Sequence, residues 1–401
     1  MVSVLYEVDS GGDVEIVLKN PDTKNIVPKI ALKPCPKLFP KDIPPEKNGD
    51  LTQTVPDDET SYPEEDAQLV QYFASYSAIP RPQPLVGERY GSILTDLDNS
   101  LFRKENPEKL NKNVEIRMRV SSKHISLASP VLAKELQHTP SAQSTPRTAR
   151  SIRREIQVNR WDAKAMATVL NIIHGRHAQV PRKITVEFMA NVVAFAKYYE
   201  CLEAVEMSAE LWHSINFREG KGLSSDALMW LYISWVFSWE KPFNLMIHRV
   251  LPRFQGSFQL NDLPANDLLK KADKLRQEYI KKYLAGLQQL QDTMCLEEGC
   301  PKQGSSECST LAVGSLSRGK IRLTKLNPPF VSPYTGYSIE DVYKLVKEFP
   351  EEESFHRAYG VTGMKCLGHM KSYSLCTIHA RMKETRESIN KEIEKIDLRS
   401  F

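Results

Sequence analysis

The chain has 401 residues, of which 41% are hydrophobic and 26% charged, an ordinary balance for a folded protein able to hold two or three cores. A formal net charge of +4 is too small to point to nucleic acid by itself. MVSVLYEVDSGG lacks a basic stretch followed by an apolar one, so no secretory signal is expected. The longest apolar run, residues 228–239, is far shorter than the ~20 residues that span a bilayer. Seven cysteines without such a signal predict a reducing compartment, cytoplasmic or nuclear, and no disulfide framework.

In chain order, GGDVEIVLK sets Val14, Ile16 and Leu18 against Glu15 and Val17 and predicts a short strand after a Gly-Gly turn, within residues 1–19. Residues 21–84 hold 12 prolines and dense charge, too little apolar surface to fold alone, so 20–112 reads as a largely disordered insertion. AQLVQYFASYSAI at 67–79 is the exception, a helix or a docking aromatic patch. The insertion reads either as a partner-recruiting segment or, as its composition favours, as a tolerated spacer.

VEIRMRV at 114–120 alternates Val114, Ile116, Met118 and Val120 and predicts a half-buried strand that pairs with the first. SSKHISLASPVLAKEL follows with Ile125, Leu127, Val131 and Leu132 as its apolar positions, and Ser121 or Ser122 is its candidate cap. Residues 137–150 are a polar loop. Arg147, Arg150, Arg153 and Arg154 nearby lack aromatics or a recognition helix, which argues against nucleic acid. EIQV supplies a second short strand through Ile156 and Val158.

Three helices are predicted next. Asp162 caps 163–174, whose apolar face is Ala165, Met166, Val169, Leu170 and Ile173, and His174-Gly175 ends it. Thr185 caps a helix with Phe188, Val192, Phe195, Ala196 and Tyr199, and a third presents Leu202, Val205, Ala209 and Trp212. Residues 223–254, with Trp230, Trp235 and Trp239, are apolar all round and therefore expected to lie between other helices and to cover Trp212. A long helix at 265–294 repeats Leu268, Ala272, Leu275, Tyr279, Tyr283, Leu287, Leu290 and Met294 at steps of three or four, a coiled-coil-like seam. Ser338-Ile-Glu-Asp341 is a capping-box-like start for a helix with Val342, Leu345 and Val346, after an aromatic-rich linker, NPPFVSPYTGYS. The terminal run 378–396 shows a second seam through Ile378, Met382, Ile389, Ile393 and Ile396. The two seams pack either on each other within one chain, the preferred reading, or between chains.

The block from Val114 to Trp212 resembles a BTB/POZ domain of the form found in filamentous fungi. The matching pieces are RVSSKHISLASPVL at 119–132, WDAKAMATVLNIIHGR at 161–176 and VPRKITVEFMANVVAFAKYYECLEAVEMSAELW at 180–212. ECSTLAVGSLSR at 307–318, PPF and SPYTGYS within 328–338, and the terminal IEKIDLRSF resemble the same group. The resemblance implies an α+β BTB/POZ fold, a small sheet with a helical cluster, followed by an all-α C-terminal region. Residues 1–19 become the first BTB strand, 20–112 an insertion, 113–215 the BTB/POZ core, 216–260 a helical extension and 261–401 the C-terminal helices. Asp13 matches the acidic residue that opens the first strand in many such domains, and Lys123-His124 is the candidate basic partner. The residues before Asp13 are too few for a helix plus a strand, which argues against the exchanged-segment dimer of transcription-factor members.

For chemistry, Cys295, Cys300 and Cys308 with Cys366, His369, Cys376 and His379 are the one serious metal set. Cys295-x4-Cys300 and Cys376-x2-His379 have zinc-ligand spacing and Cys300-x7-Cys308 does not, so incidental thiols are the favoured reading and no metal or cofactor is assigned. His174 and His177 straddle a helix end rather than sharing a face. No nucleophile elbow, Walker loop, dinucleotide fingerprint or HExxH occurs, and no catalytic residue is assigned, so an enzyme is not expected. The expected function is protein–protein binding as an adaptor or scaffold, with a cullin-type ubiquitin-ligase scaffold or a corepressor as partner, and homo-oligomer formation as a further outcome. A transcription-associated role and a C-terminal zinc protein are the alternatives.

Overall fold

The computed structural model describes residues 2–21, 114–138, 154–217, 226–256, 265–298, 306–349 and 377–401. The segment 67–79, Arg147, Arg150 and Arg153 lie outside them. The fold is mixed α+β, a four-stranded sheet with many helices.

The sheet contains β1 (Val2–Glu7), β2 (Val14–Lys19), β3 (Val114–Val120) and β4 (Arg154–Asn159) in the order β1-β3-β2-β4. β2 and β3 run antiparallel with Ile16 opposite Met118, and β2 runs parallel to β4 with Ile16 opposite Ile156. β1, not expected from the sequence, is parallel to β3 with Val2 opposite Val114. Alternation then decides the faces. Val14, Ile16, Leu18, Ile116, Met118, Val120, Ile156 and Val158 are buried on one side. On the other side Arg117 bonds Glu115 at 2.7 Å, Glu155 at 2.6 Å and Glu15 at 3.1 Å, and Arg119 pairs with Glu7. Arg117–Glu15 and Arg119–Glu7 stand across neighbouring strands and Arg117–Glu155 reaches over β2 to β4, so the outer face reinforces the register set by the inner one.

The turn into β2 is built by Asp9 and two glycines. The Asp9 carboxylate accepts from the Gly11 amide at 2.9 Å, and Gly12 donates to the Asp9 carbonyl at 3.0 Å. A Cβ on Gly12 would lie 2.6 Å from the Val120 carbonyl oxygen, so only glycine fits there.

The segment after β3 is two helices where one was expected: α1 (Ser122–Ala128) and α2 (Pro130–His138). Ser129 is the reason. Its hydroxyl accepts from the Leu132 amide at 3.0 Å and donates to the Tyr199 carbonyl, so it caps α2, and Pro130 takes the first helical position. Leu127, read as one of the apolar positions, is 90% exposed, while Ile125, Leu132 and Leu136 are buried.

Next come α3 (Ala163–Ile173), α4 (Val186–Tyr198) and α5 (Leu202–Asn216). Asp162 accepts from the Ala165 amide at 2.6 Å and Thr185 from the Phe188 amide at 3.2 Å, as the sequence predicts. Gly175 follows the C-cap at φ +68°, the left-handed position that favours glycine. Val205, Ala209 and Trp212 are buried, and the Trp212 indole donates to the Pro181 carbonyl at 2.8 Å.

The apolar run after 223 is also divided, into α6 (Ala227–Val236) and α7 (Glu240–Val250), which pack on each other, with α6 against α4. Every residue from Ala227 to Ser234 is buried, as all-round hydrophobicity requires. Phe217 and His213 of the preceding helix meet the Trp230 ring edge-on at 5.1 and 5.6 Å.

The C-terminal part holds α8 (Asn266–Leu296), α9 (Ser306–Leu323), α10 (Ile339–Lys347), α11 (Ile378–Arg381) and α12 (Lys383–Ile393). α9 was not expected. The terminal run breaks into two helices at Met382 and ends at Ile393, short of the expected 396. α8 and α12 pack antiparallel: Lys282 pairs with Glu392, Thr385 lies against Gly286, and Arg381 reaches Glu297 at 3.4 Å. All five residues of the terminal seam are buried. The seam on α8 drifts. Its fully covered members are Leu268, Ala272, Arg276, Ile280, Tyr283, Leu287 and Met294, so Arg276 and Ile280 occupy the places read for Leu275 and Tyr279. Beyond α12 the chain returns to α7, where Ile396 accepts from the His248 ring at 2.8 Å and Phe401 meets Phe243 edge-on at 5.3 Å.

Candidate functional site

The first two amides of α1 are capped from outside the helix. The Ser122 amide donates to Asp13 at 2.7 Å, and the Ser121 amide donates to His174 Nε2 at 3.0 Å. Ser121 is the N-cap but makes no side-chain cap hydrogen bond. His174 Nδ1 lies 2.7 Å from the Leu170 carbonyl, so that nitrogen carries the proton and Nε2 is the acceptor. Burial pushes the His174 pKa down, and the neighbouring His124 ring, 4.9 Å away, adds to that. Both ring nitrogens are thus committed, and the exposed His177 shares no metal with them.

Asp13 pairs with Arg154 at 2.9 Å rather than with Lys123 or His124, both exposed. Burial raises its carboxyl, but the Ser122 amide and hydroxyl and Arg154 outweigh this and leave it below the usual carboxylate range. Asp13 therefore joins β2, β4 and the start of α1 through one carboxylate.

This anchoring fixes which apolar side chains face outward. Leu127 on α1 is 90% exposed and Met207 on α5 is 84% exposed. Leu211 stands one turn beyond Met207 on the same face and is half-exposed, as is Tyr198 at the end of α4. The Ser129 hydroxyl bonds the Tyr199 carbonyl and so ties the α1–α2 elbow to the turn between α4 and α5. Leu127 and Tyr198 lie on elements joined at that point, and Met207 and Leu211 follow on α5.

Cys295 is a free, exposed thiol near the end of α8. His379 stands on α11 with Arg386 Nη1 at 2.9 and 3.1 Å from its ring nitrogens, a cationic neighbour that opposes a second cation. Cys300, Cys366, His369 and Cys376 lie outside the described residues, as does the side chain of Cys308. Among the described residues no group of three or more His, Cys, Asp or Glu side chains is placed to hold a metal. Cys201 is buried, and burial pushes its thiol up to about 12, which keeps it protonated and inert.

One polar group escaped sequence reasoning. Arg276 is fully buried. It bonds Asp273 at 2.7 and 2.8 Å and donates to the carbonyls of Pro333, Tyr334 and Tyr337 at 2.7, 2.8 and 2.7 Å. It thereby fastens the aromatic-rich linker to α8. A Cβ on Gly256 would strike this guanidinium, and the Gly336 amide donates to Gln255 beside it. The linker then enters α10 through the expected capping box, Ser338 and Asp341 exchanging bonds of 3.0 Å. Gln255 also reaches Asp341, at 2.9 Å.

No helix among the described residues is long and apolar enough to cross a membrane. Comparison of the chain with protein-family models, with curated proteins and with solved structures gives no match.

Proposed function

We propose that the chain is a protein-interaction adaptor or scaffold of BTB/POZ type, in which the block of β1–β4 and α1–α5 carries the docking surface. The carrying observation is the outward display of Leu127 and Met207 on helices that are otherwise packed into the fold. Scattered apolar side chains are ordinary on protein surfaces. These stand on elements locked together by Ser129, Asp13 and His174, so they are presented in one fixed arrangement. A preorganised apolar display suits a partner protein, because little ordering is needed on binding.

The partner in this reading is a cullin-type ubiquitin-ligase scaffold, with the C-terminal helices holding a client. The test is affinity purification of tagged full-length protein with mass spectrometry, alongside Leu127→Glu and Met207→Glu. Recovery of a cullin from the wild type and its loss from either variant supports the adaptor reading. Recovery of a corepressor instead moves the protein to a transcription-associated role. Identical partner sets for wild type and both variants overturn the proposed surface.

A further inference from the structure

Where α8, α10 and α12 converge, several donors lack an acceptor. Tyr283 on α8 is fully buried, and its ring meets Tyr343 of α10 edge-on at 4.6 Å. Neither hydroxyl has a hydrogen-bond partner, although buried tyrosine hydroxyls normally find one. One turn along α8 from Tyr283, Gly286 admits α12 so closely that a Cβ there would lie 2.8 Å from Thr385 and 3.3 Å from Met382. Arg386 follows Thr385, and its positive charge acts on both hydroxyls.

Arg386 has no carboxylate partner among the described residues. Its hydrogen-bonding contact is the His379 ring, with Nη1 at 2.9 and 3.1 Å from the two nitrogens. A neutral imidazole offers one acceptor, whereas a guanidinium offers five donors. Lys347, exposed at the end of α10, adds a second positive charge that acts on His379. The nearby carboxylates are engaged elsewhere: Glu340 with Arg253 at 3.0 Å, Glu392 with Lys282, and Glu297 with Arg381. Among the described residues, two cations, a histidine and two phenols thus lie together, and the carboxylate whose charge reaches Tyr343, Glu340, is already paired with Arg253.

We propose that this cluster is an oxyanion site that takes a phosphate group, free or carried as an ester, on the fork of the Arg386 guanidinium. Arg386 and His379 are partly buried and keep some contact with solvent, from which the anion enters, and His379 turns aside from Nη1 to admit it. Two phosphate oxygens match the planar fork, and the others lie toward Lys347 and the tyrosine hydroxyls. A carboxylate has too few oxygens to reach all of these donors.

The test uses the full chain, titrated calorimetrically with inorganic phosphate and with a short blocked phosphoserine peptide at constant ionic strength. Saturable one-to-one binding is expected, weakened at least tenfold in Arg386→Gln. Tyr283→Phe is expected to weaken binding severalfold while leaving the unliganded protein as stable as the wild type or more so, since it removes an orphaned hydroxyl. A purely structural role for Tyr283 would not change phosphate affinity. Tighter binding of the peptide than of phosphate assigns the site to a phosphorylated protein segment, and equal binding assigns it to the phosphate group alone. Absence of saturable binding in the wild type, or equal affinity in Arg386→Gln, overturns the proposal.

Discussion

In the sheet, residues 2–19 meet residues 114–159 through registers in which each strand pairing is repeated by its neighbours, and charged pairs repeat the message on the outer face. In the helical half, the linker before α10 is fastened to α8 by one side chain, Arg276, which serves three carbonyls. Both regions join segments distant in sequence. One spreads the work over many modest contacts, and the other concentrates it in a single buried charge. Spread contacts tolerate the loss of one member. A concentrated one does not, because its loss takes a charged donor from three carbonyls at once, at a side chain that is itself fully buried.

Arg276→Met breaks that comparison most severely. It should cost about 4 kcal/mol, in the range for removing one partner of a buried charged network. Hydrogen exchange should lose protection over 328–349 and the facing stretch of α8 while β2 and β3 keep theirs. Equal loss in both regions would show that the two halves unfold together. Met118→Ala, deep under the sheet, should cost about 3 kcal/mol by cavity formation and should lower protection first in β1–β4. Asp162→Ala removes the cap of α3 and should cost about 1 kcal/mol, read as a shift of the denaturation midpoint without a change of slope.

The smallest effect concerns pH. The His174 pKa is pushed down by burial, so the folded chain holds a neutral ring where the unfolded chain takes up a proton. Stability from this group is complete above the ordinary histidine value of about 6.5 and is lost as pH falls toward the lowered folded value. His213 and His379, also pushed down by burial, act with the same sign. His174→Asn should therefore flatten the fall in melting temperature below neutrality without abolishing it. An unchanged pH slope would remove His174 from the account.

Much of this was legible in the sequence where the signal is local. Asp162, Thr185 and Ser338 cap the helices that their positions predict, and the alternation of 14–18 and 114–120 decides which face is buried. β1 was not legible, although Val2, Val4 and Tyr6 alternate, because its parallel partner begins at residue 114 and leaves no turn signal between them. α9 was hidden by its serines and by Gly314 and Gly319, poor helix formers. Gly319 has a packing reason, since a Cβ there would strike the Phe349 ring. Arg276 was hidden because a charged residue one place off an apolar stripe normally marks the solvated side. Of the outward-facing residues, Leu127 was read as part of an apolar pattern. Its exposure follows from the Ser129 break, which sequence spacing alone does not reveal.

Lys19 at the end of β2 stands opposite Glu115 near the start of β3, although 95 residues separate them in the chain. Departure and return occur across one strand spacing, as they do in a tight hairpin. The sheet therefore fixes where this stretch leaves and where it rejoins: the two ends are held side by side at one end of the ladder. Whatever the sequence between Lys19 and Val114 carries is tethered at both ends to the same corner of the sheet.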